Sequence, residues 1–92
     1  MKYEIKYTTK FKKDVKLIVK RGKDLNKLGY IVEKLANKEV LEEKFRDHEL
    51  TGLYKGFREC HIEPDWLLIY RYIEGVLVLS LSRTGSHSDL LE

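Results

Sequence analysis

Histidine is the side chain whose ordinary pKa, about 6.5, lets it take and give a proton at neutral pH. All three histidines of this chain, His48, His61 and His87, lie in its second half, with Asp65 and Arg83 between the last two. Two imidazoles to move protons and a guanidinium fork matched to phosphate oxygens could act on a phosphodiester without a metal. Three His and an Asp are also zinc ligands. However, HxH, HxxxH and CxxC spacings are absent, and Arg83 in the same cluster would repel a cation. The phosphate reading is therefore preferred, with no cofactor expected. A lone histidine at a strand end is ordinarily a solvated polar group, so the chemistry depends on convergence.

The elements that must bring these residues together follow from periodicity. Residues 2–7 alternate and predict a short strand with Tyr3, Ile5 and Tyr7 on one face. Thr8 or Thr9 can cap a helix whose apolar stripe is Phe11, Val15, Ile18 and Val19 and whose stop is Gly22. Asp24 caps a second helix with Leu25, Leu28, Val32 and Leu35 at helical spacing. After a charged connection, period-two alternation predicts strands over 55–63, 66–73 and 76–83, joined at Pro64-Asp65 and Glu74-Gly75. The order β-α-α-β-β-β is an α+β domain over 1–92, a helical hairpin packed on a mainly antiparallel sheet, ending in a short C-terminal turn or helix. None of the histidines falls in a helical pattern.

Register supplies the convergence. If both connections are two-residue turns, Ile73 faces Val76, Trp66 faces Arg83, Glu63 faces Trp66 and His61 faces Leu68. Directly opposed residues in an antiparallel pair project from one face. Arg83 and His61 then share a face near the Pro64-Asp65 end, and His87 follows after a Thr84-Gly85-Ser86 bend. A bulge in any strand would break this register. His48 precedes the strands in an irregular stretch, and register does not place it. Asp65 is first of all a turn residue. Trp66, Tyr54, Tyr70 and Tyr72 read as packing residues, and Cys60, alternating with His61, points to the opposite face.

Composition narrows the class. The chain has 92 residues, 42% hydrophobic, with one cysteine and a net charge of +3. That makes one small domain without an internal disulfide, as in a reducing compartment. No apolar run approaches the ~18 residues of a membrane span, and MKYEIKYTTK lacks a signal-peptide core, so a cytoplasmic protein is expected. Charge is uneven: Lys6, Lys10, Lys12, Lys13, Lys16, Lys20, Arg21, Lys23 and Lys27 face only Asp14 and Asp24. Such a stretch is either a solvated helix face or a surface for a polyanion.

Three segments carry a family likeness. Asp47-His48-Glu49-Leu50-Thr51-Gly52, the run from Tyr54-Lys55-Gly56-Phe57 through His61-Ile62-Glu63-Pro64-Asp65-Trp66 to Tyr70, and Arg83-Thr84-Gly85-Ser86-His87 resemble the YafQ branch of the RelE/ParE toxin superfamily. The likeness extends to Lys12-Lys13-Asp14-Val15-Lys16-Leu17 and to the order of elements. It implies the toxin of a bacterial toxin–antitoxin pair, a metal-independent endoribonuclease cutting mRNA in the ribosomal A site. Its partners would be an antitoxin, the ribosome and mRNA, with operator DNA contacted only through the antitoxin. The resemblance implies catalytic roles for His48, His61, Asp65, Arg83 and His87, and substrate contacts for Trp66, Lys55 and Leu91. At Leu91 close relatives carry Phe, so base stacking there would be lost. Two other readings use the same chain: a ParE-like toxin that inhibits a protein such as gyrase, needing no His/Asp/Arg cluster, and a nucleic-acid-binding module built on the Lys-rich helices.

Overall fold

Each long helix starts at a side chain that takes an orphan backbone N–H. In the computed structural model, which describes residues 2–90, Thr8 Oγ1 accepts from Phe11 N–H at 3.0 Å and opens α1 (Thr9–Lys20). Asp24 accepts from Asn26 N–H at 2.9 Å and opens α2 (Leu25–Ala36). Gly22, at φ 77°, lets the chain turn out of α1. The stripes bury Phe11, Ile18, Leu28, Ile31, Leu35 and Ala36. Val19 and Leu25, expected on the stripes, are instead 53% and 42% exposed, because each sits at the margin of its apolar arc.

The strands are β1 (Glu4–Tyr7), β2 (His48–Glu49), β3 (Arg58–Glu63), β4 (Trp66–Ile73) and β5 (Val78–Gly85), followed by α3 (His87–Leu90). They form one sheet in the order β1-β5-β4-β3-β2, with β1 parallel to β5 and the remaining pairs antiparallel. α1 lies against β5 and α2 against β3. That face carries the main core, in which Cys60, Ile62, Trp66, Leu68, Tyr70, Leu79 and Leu81 meet the helices. The other face of β4 offers Leu67 and Ile69 to a smaller cluster with Leu50, Tyr54, Phe57 and Leu90. No helix among the described residues is long and apolar enough to cross a membrane.

The register differs from expectation in three places. The Glu74-Gly75 connection is four residues long: a 3-10 turn over Glu74–Val76 is closed by Leu77 at φ 52°, and Ile73 pairs with Val78. A bulge at Ser82 then moves Arg83 opposite Ile69 rather than Trp66. The Pro64-Asp65 turn keeps Glu63 opposite Trp66, but a bulge at Ile62 sets His61 opposite Leu67 rather than Leu68. Each displacement for His61 and Arg83 is an odd number of residues, so both cross to the face away from the helices together.

Candidate active site

Two rows of side chains cross the sheet on the face away from α1 and α2. His48 pairs with Glu59, Glu59 with Ile69, and Ile69 with Arg83, which makes one row over β2, β3, β4 and β5. His61 pairs with Leu67 and Leu67 with Gly85, the second row, and the chain continues from Gly85 into His87. Leu67 and Ile69 are fully buried beneath the cluster and form its apolar floor. Across this floor the rings of His48 and His61 lie 6.3 Å apart between centroids, and those of His61 and His87 5.6 Å apart.

His48 joins the group through pairing that the sequence did not signal: β2 is only two residues long. Its ring is fixed from behind. Nδ1 lies 2.7 Å from the carbonyl oxygen of Arg46, a residue at φ 51°. A carbonyl can only accept, so Nδ1 carries the hydrogen and Nε2 faces the cluster. His87 is fixed in the same way by a different group. It opens α3 rather than lying outside helix, and the Asp65 carboxylate takes both its backbone N–H at 2.9 Å and its Nδ1–H at 2.6 Å. These two hydrogen bonds, the backbone one first, hold the Asp65 carboxyl below its ordinary range. Asp65 is therefore a carboxylate at neutral pH, and the Nε2 of His87 points away from it.

Glu59 is the residue that sequence reasoning missed. It is 5% exposed, with Oε1 3.5 Å from His48 Nε2 and 3.6 Å from His61 Nε2. Its Oε2 has no hydrogen-bond partner among the described residues. A buried carboxylate is costly unless a charge or donor compensates it. Either imidazole becomes a donor and a positive charge toward Glu59 on gaining a proton. The signal was available, since Glu59 stands two residues before His61 and so on its face.

Arg83 is also partly committed. Its Nε and one terminal nitrogen donate to Asp14 of α1 at 2.7 and 3.1 Å, and the same carboxylate takes Thr84 N–H at 3.1 Å. The hydrogen bond to Asp14 is the main reason the guanidinium pKa is raised. Asp14 holds the side chain, 23% exposed, in one orientation, and the rest of the fork stays available for an anion.

Two of the three expected substrate contacts, Trp66 and Lys55, do not lie here. Trp66 is 1% exposed; its indole N–H donates to Thr84 Oγ1 at 2.9 Å on the helix face, leaving no ring surface for a base. Lys55 lies beyond the opposite end of β3, in a recess with Lys38, Tyr72 and Glu74, because β3 runs from that end toward the cluster. Leu91 lies outside the described residues. Cys60 is fully buried in the main core, and desolvation pushes its thiol pKa far up, as suits a packing residue. Among the described residues, no group of three or more His, Cys, Asp or Glu side chains is arranged to hold a metal ion.

Comparison with known proteins gives a consistent picture. Residues 3–92 match the family described as bacterial toxin of type II toxin-antitoxin system, YafQ. The mRNA interferase toxin YafQ of Escherichia coli strain K12 is 44% identical over 88 residues, 95% of this chain and 94% of that protein. The crystal structure of YafQ from E. coli strain BL21(DE3) superposes with a TM-score of 0.90 at 42% identity, covering 98% of this chain and 99% of the other. A chain of the E. coli DinJ-YafQ toxin-antitoxin complex superposes with a TM-score of 0.89 at 42% identity, each chain covered in full.

Proposed function

The chain belongs to the YafQ family of bacterial type II toxins, and on that premise we propose that it is a cytoplasmic endoribonuclease that cuts mRNA in the ribosomal A site by metal-independent acid–base chemistry. The observation that carries this reading is the pair of rows on one sheet face. They set three imidazoles in a chain of 6.3 and 5.6 Å ring separations, with Asp65 behind one end and Arg83 across the floor.

The reaction is attack of a ribose 2′-hydroxyl on the adjacent phosphate. The P–O5′ bond breaks as the O2′–P bond forms, leaving a 2′,3′-cyclic phosphate and a free 5′-hydroxyl. His87 is the general acid: with Nδ1–H held by Asp65, its protonated Nε2 is aimed outward to supply the proton the departing 5′-oxygen needs. Asp65 orients that ring, and its depressed pKa makes it a poor base. The base is His48 or His61. Glu59, beside both Nε2 atoms, stabilises the imidazolium formed when either takes the 2′ proton. Arg83, aligned by Asp14, offers its remaining N–H groups to the negatively charged phosphorane.

The outer face of α1 supports a large polyanion as platform. Lys10, Lys12, Lys13, Lys16 and Lys20 are exposed and make no ion pair among the described residues, whereas Lys23 and Lys27 share the single carboxylate of Glu63. Ribosomal RNA is the matching surface. By analogy with the DinJ-YafQ toxin-antitoxin complex, a cognate antitoxin binds the chain; contact of the pair with operator DNA, through the antitoxin, is carried by the family resemblance alone.

The test is to add the purified protein to a translating extract and map mRNA ends. Codon-phased cuts that require ribosomes, carrying 2′,3′-cyclic phosphates, are expected. Intact mRNA together with arrested supercoiling would replace this reading with inhibition of a topoisomerase. His87→Ala should fold normally and cut about 10²–10⁴-fold more slowly.

A further inference from the structure

α1 touches the site at two points, and only one involves a residue so far given a role. Asp14 aligns Arg83. Seven residues on, two helical turns and so on the same side of α1, stands Arg21, the C-terminal capping residue. Its guanidinium forms a two-pronged pair with Asp89 of α3, at 2.5 and 3.1 Å. The same carboxylate takes Ser86 N–H at 2.9 Å, and a Cβ at Gly85, where φ is +156°, would meet it at 2.9 Å. Asp89 thus fills the space over Gly85 and ties the bend before His87 to α1.

The bend needs such a tie. A four-residue helix has almost no stability of its own. Among the described residues, the hydrogen bonds from His87 N–H and Nδ1 go only to Asp65, whose side chain is 69% exposed at a turn. The other anchor of α3 is Leu90, buried in the small cluster on the site face. Leu90 fixes how deep the turn sits, whereas an ion pair with two parallel hydrogen bonds fixes its direction. Both prongs also keep Asp89 charged, since Arg21 and then Ser86 N–H hold its carboxyl far below the ordinary range.

We propose that Arg21 and Asp89 form a clasp that positions His87 against the scissile phosphate, so that α1 acts as the ruler setting the spacing between the phosphate-binding Arg83 and the acid His87. This rests on His87 being the acid. A conserved fold with a mobile His87 would retain binding and lose rate, because a misplacement of about 1 Å costs up to about 100-fold.

The experiment uses the full chain and ribosome-bound mRNA, with Arg21→Gln, Asp89→Asn, their double variant, Arg21→Lys and His87→Ala. Asp89→Asn keeps an acceptor for Ser86 N–H while removing the pair's charge. Each single Gln or Asn variant is expected to lower the single-turnover cutting rate about 10-fold, with unchanged ribosome affinity. The double variant should lose no more than either single, because one contact is removed in each case. Arg21→Lys should recover part of the rate. In the same proteins, NMR should find faster exchange of the His87 backbone amide and a displaced titration of its ring, whose charged neighbours are Asp65, His61, Asp89 and Arg21.

Single variants that cut at the parent rate with an unaltered His87 ring titration, while His87→Ala is inactive, would overturn the clasp and leave Leu90 as the anchor. Additive losses in the double variant would overturn it also. A His87→Ala protein that cuts at full rate would instead remove the acid assignment, and the amide-exchange data would still report whether the clasp holds the bend.

Discussion

Residues of β3 that face α2 and those that face away from it differ in every property except their neighbours in sequence. Cys60 and Ile62 are buried among Trp66, Leu68 and Tyr70. Glu59 and His61, one position away on either side of Cys60, are polar, and Glu59 is nevertheless 5% exposed with an oxygen unpartnered among the described residues. One face is assembled for stability and the other tolerates a buried charge. The difference is what an acid–base site requires: imidazoles and a carboxylate kept partly dry and held still by a rigid backing. The apolar work of holding the strand is done from behind, so the site face can afford residues that cost stability.

The division is sharpest at Trp66. Removing its indole leaves a large cavity in the main core and takes away the donor to Thr84 Oγ1, which keeps only its own bond to the Leu67 carbonyl. Trp66→Ala is expected to cost about 3–5 kcal/mol in a urea melt, a large share of the stability of a domain this small. Cutting by the fraction that remains folded should be close to normal. A variant of full stability whose cutting is abolished would instead place Trp66 in contact with RNA, and the two faces would no longer divide the labour.

Glu59→Gln makes the opposite prediction from the other side of the same sheet. The shape is kept while the buried charge is lost, so stability should rise by about 1 kcal/mol, the low end of the cost of an unsatisfied buried group. Cutting should fall about 10- to 100-fold, because the imidazolium formed at His48 or His61 loses its counter-charge. Circular-dichroism melts and end mapping on one preparation read both quantities. Lower stability with undiminished cutting would make Glu59 an ordinary structural ion pair.

How much of this could be read from the chain follows from the particular elements. Caps and apolar spacing placed α1 and α2, because Thr8 and Asp24 announce themselves locally. The Pro64-Asp65 turn was equally legible. The register was not. Gly75 suggested a two-residue turn, but the positive φ falls on Leu77, and bulges at Ile62 and Ser82 have no local sequence mark. His61 and Arg83 still shared a face because both slips were odd, one residue and three. His48 depended on a two-residue strand whose pairing is a tertiary matter, and family likeness was the only sign of it. Glu59 is legible by alternation, two residues before His61 on the same strand. Asp14 and Arg21 reach the site from 69 and 68 residues away, a distance over which no local pattern carries information.

The smallest expected effect separates the clips that hold the periphery from those that hold the site. Glu42 lies at the surface, and its carboxyl is lowered to about 2, first by the Tyr30 hydroxyl and then by Lys34. A folded pKa below the unfolded one means that the clip contributes fully above the ordinary carboxylate range. It is then lost as pH falls from there toward about 2. Asp65 follows the same sign on the site face, its carboxylate held by His87. Acid titration should therefore weaken both, but with different readouts. Glu42→Gln should flatten the loss of thermal stability between about pH 4.5 and pH 2 and leave the His87 amide signal untouched. Asp65→Asn should shift that amide already at neutral pH and barely alter the acid melt, since His87 is half exposed and its turn is anchored elsewhere. If both variants changed the melt and the amide alike, the small cluster under the site and the main core would unfold as one unit, and the two faces would differ in chemistry but not in stability.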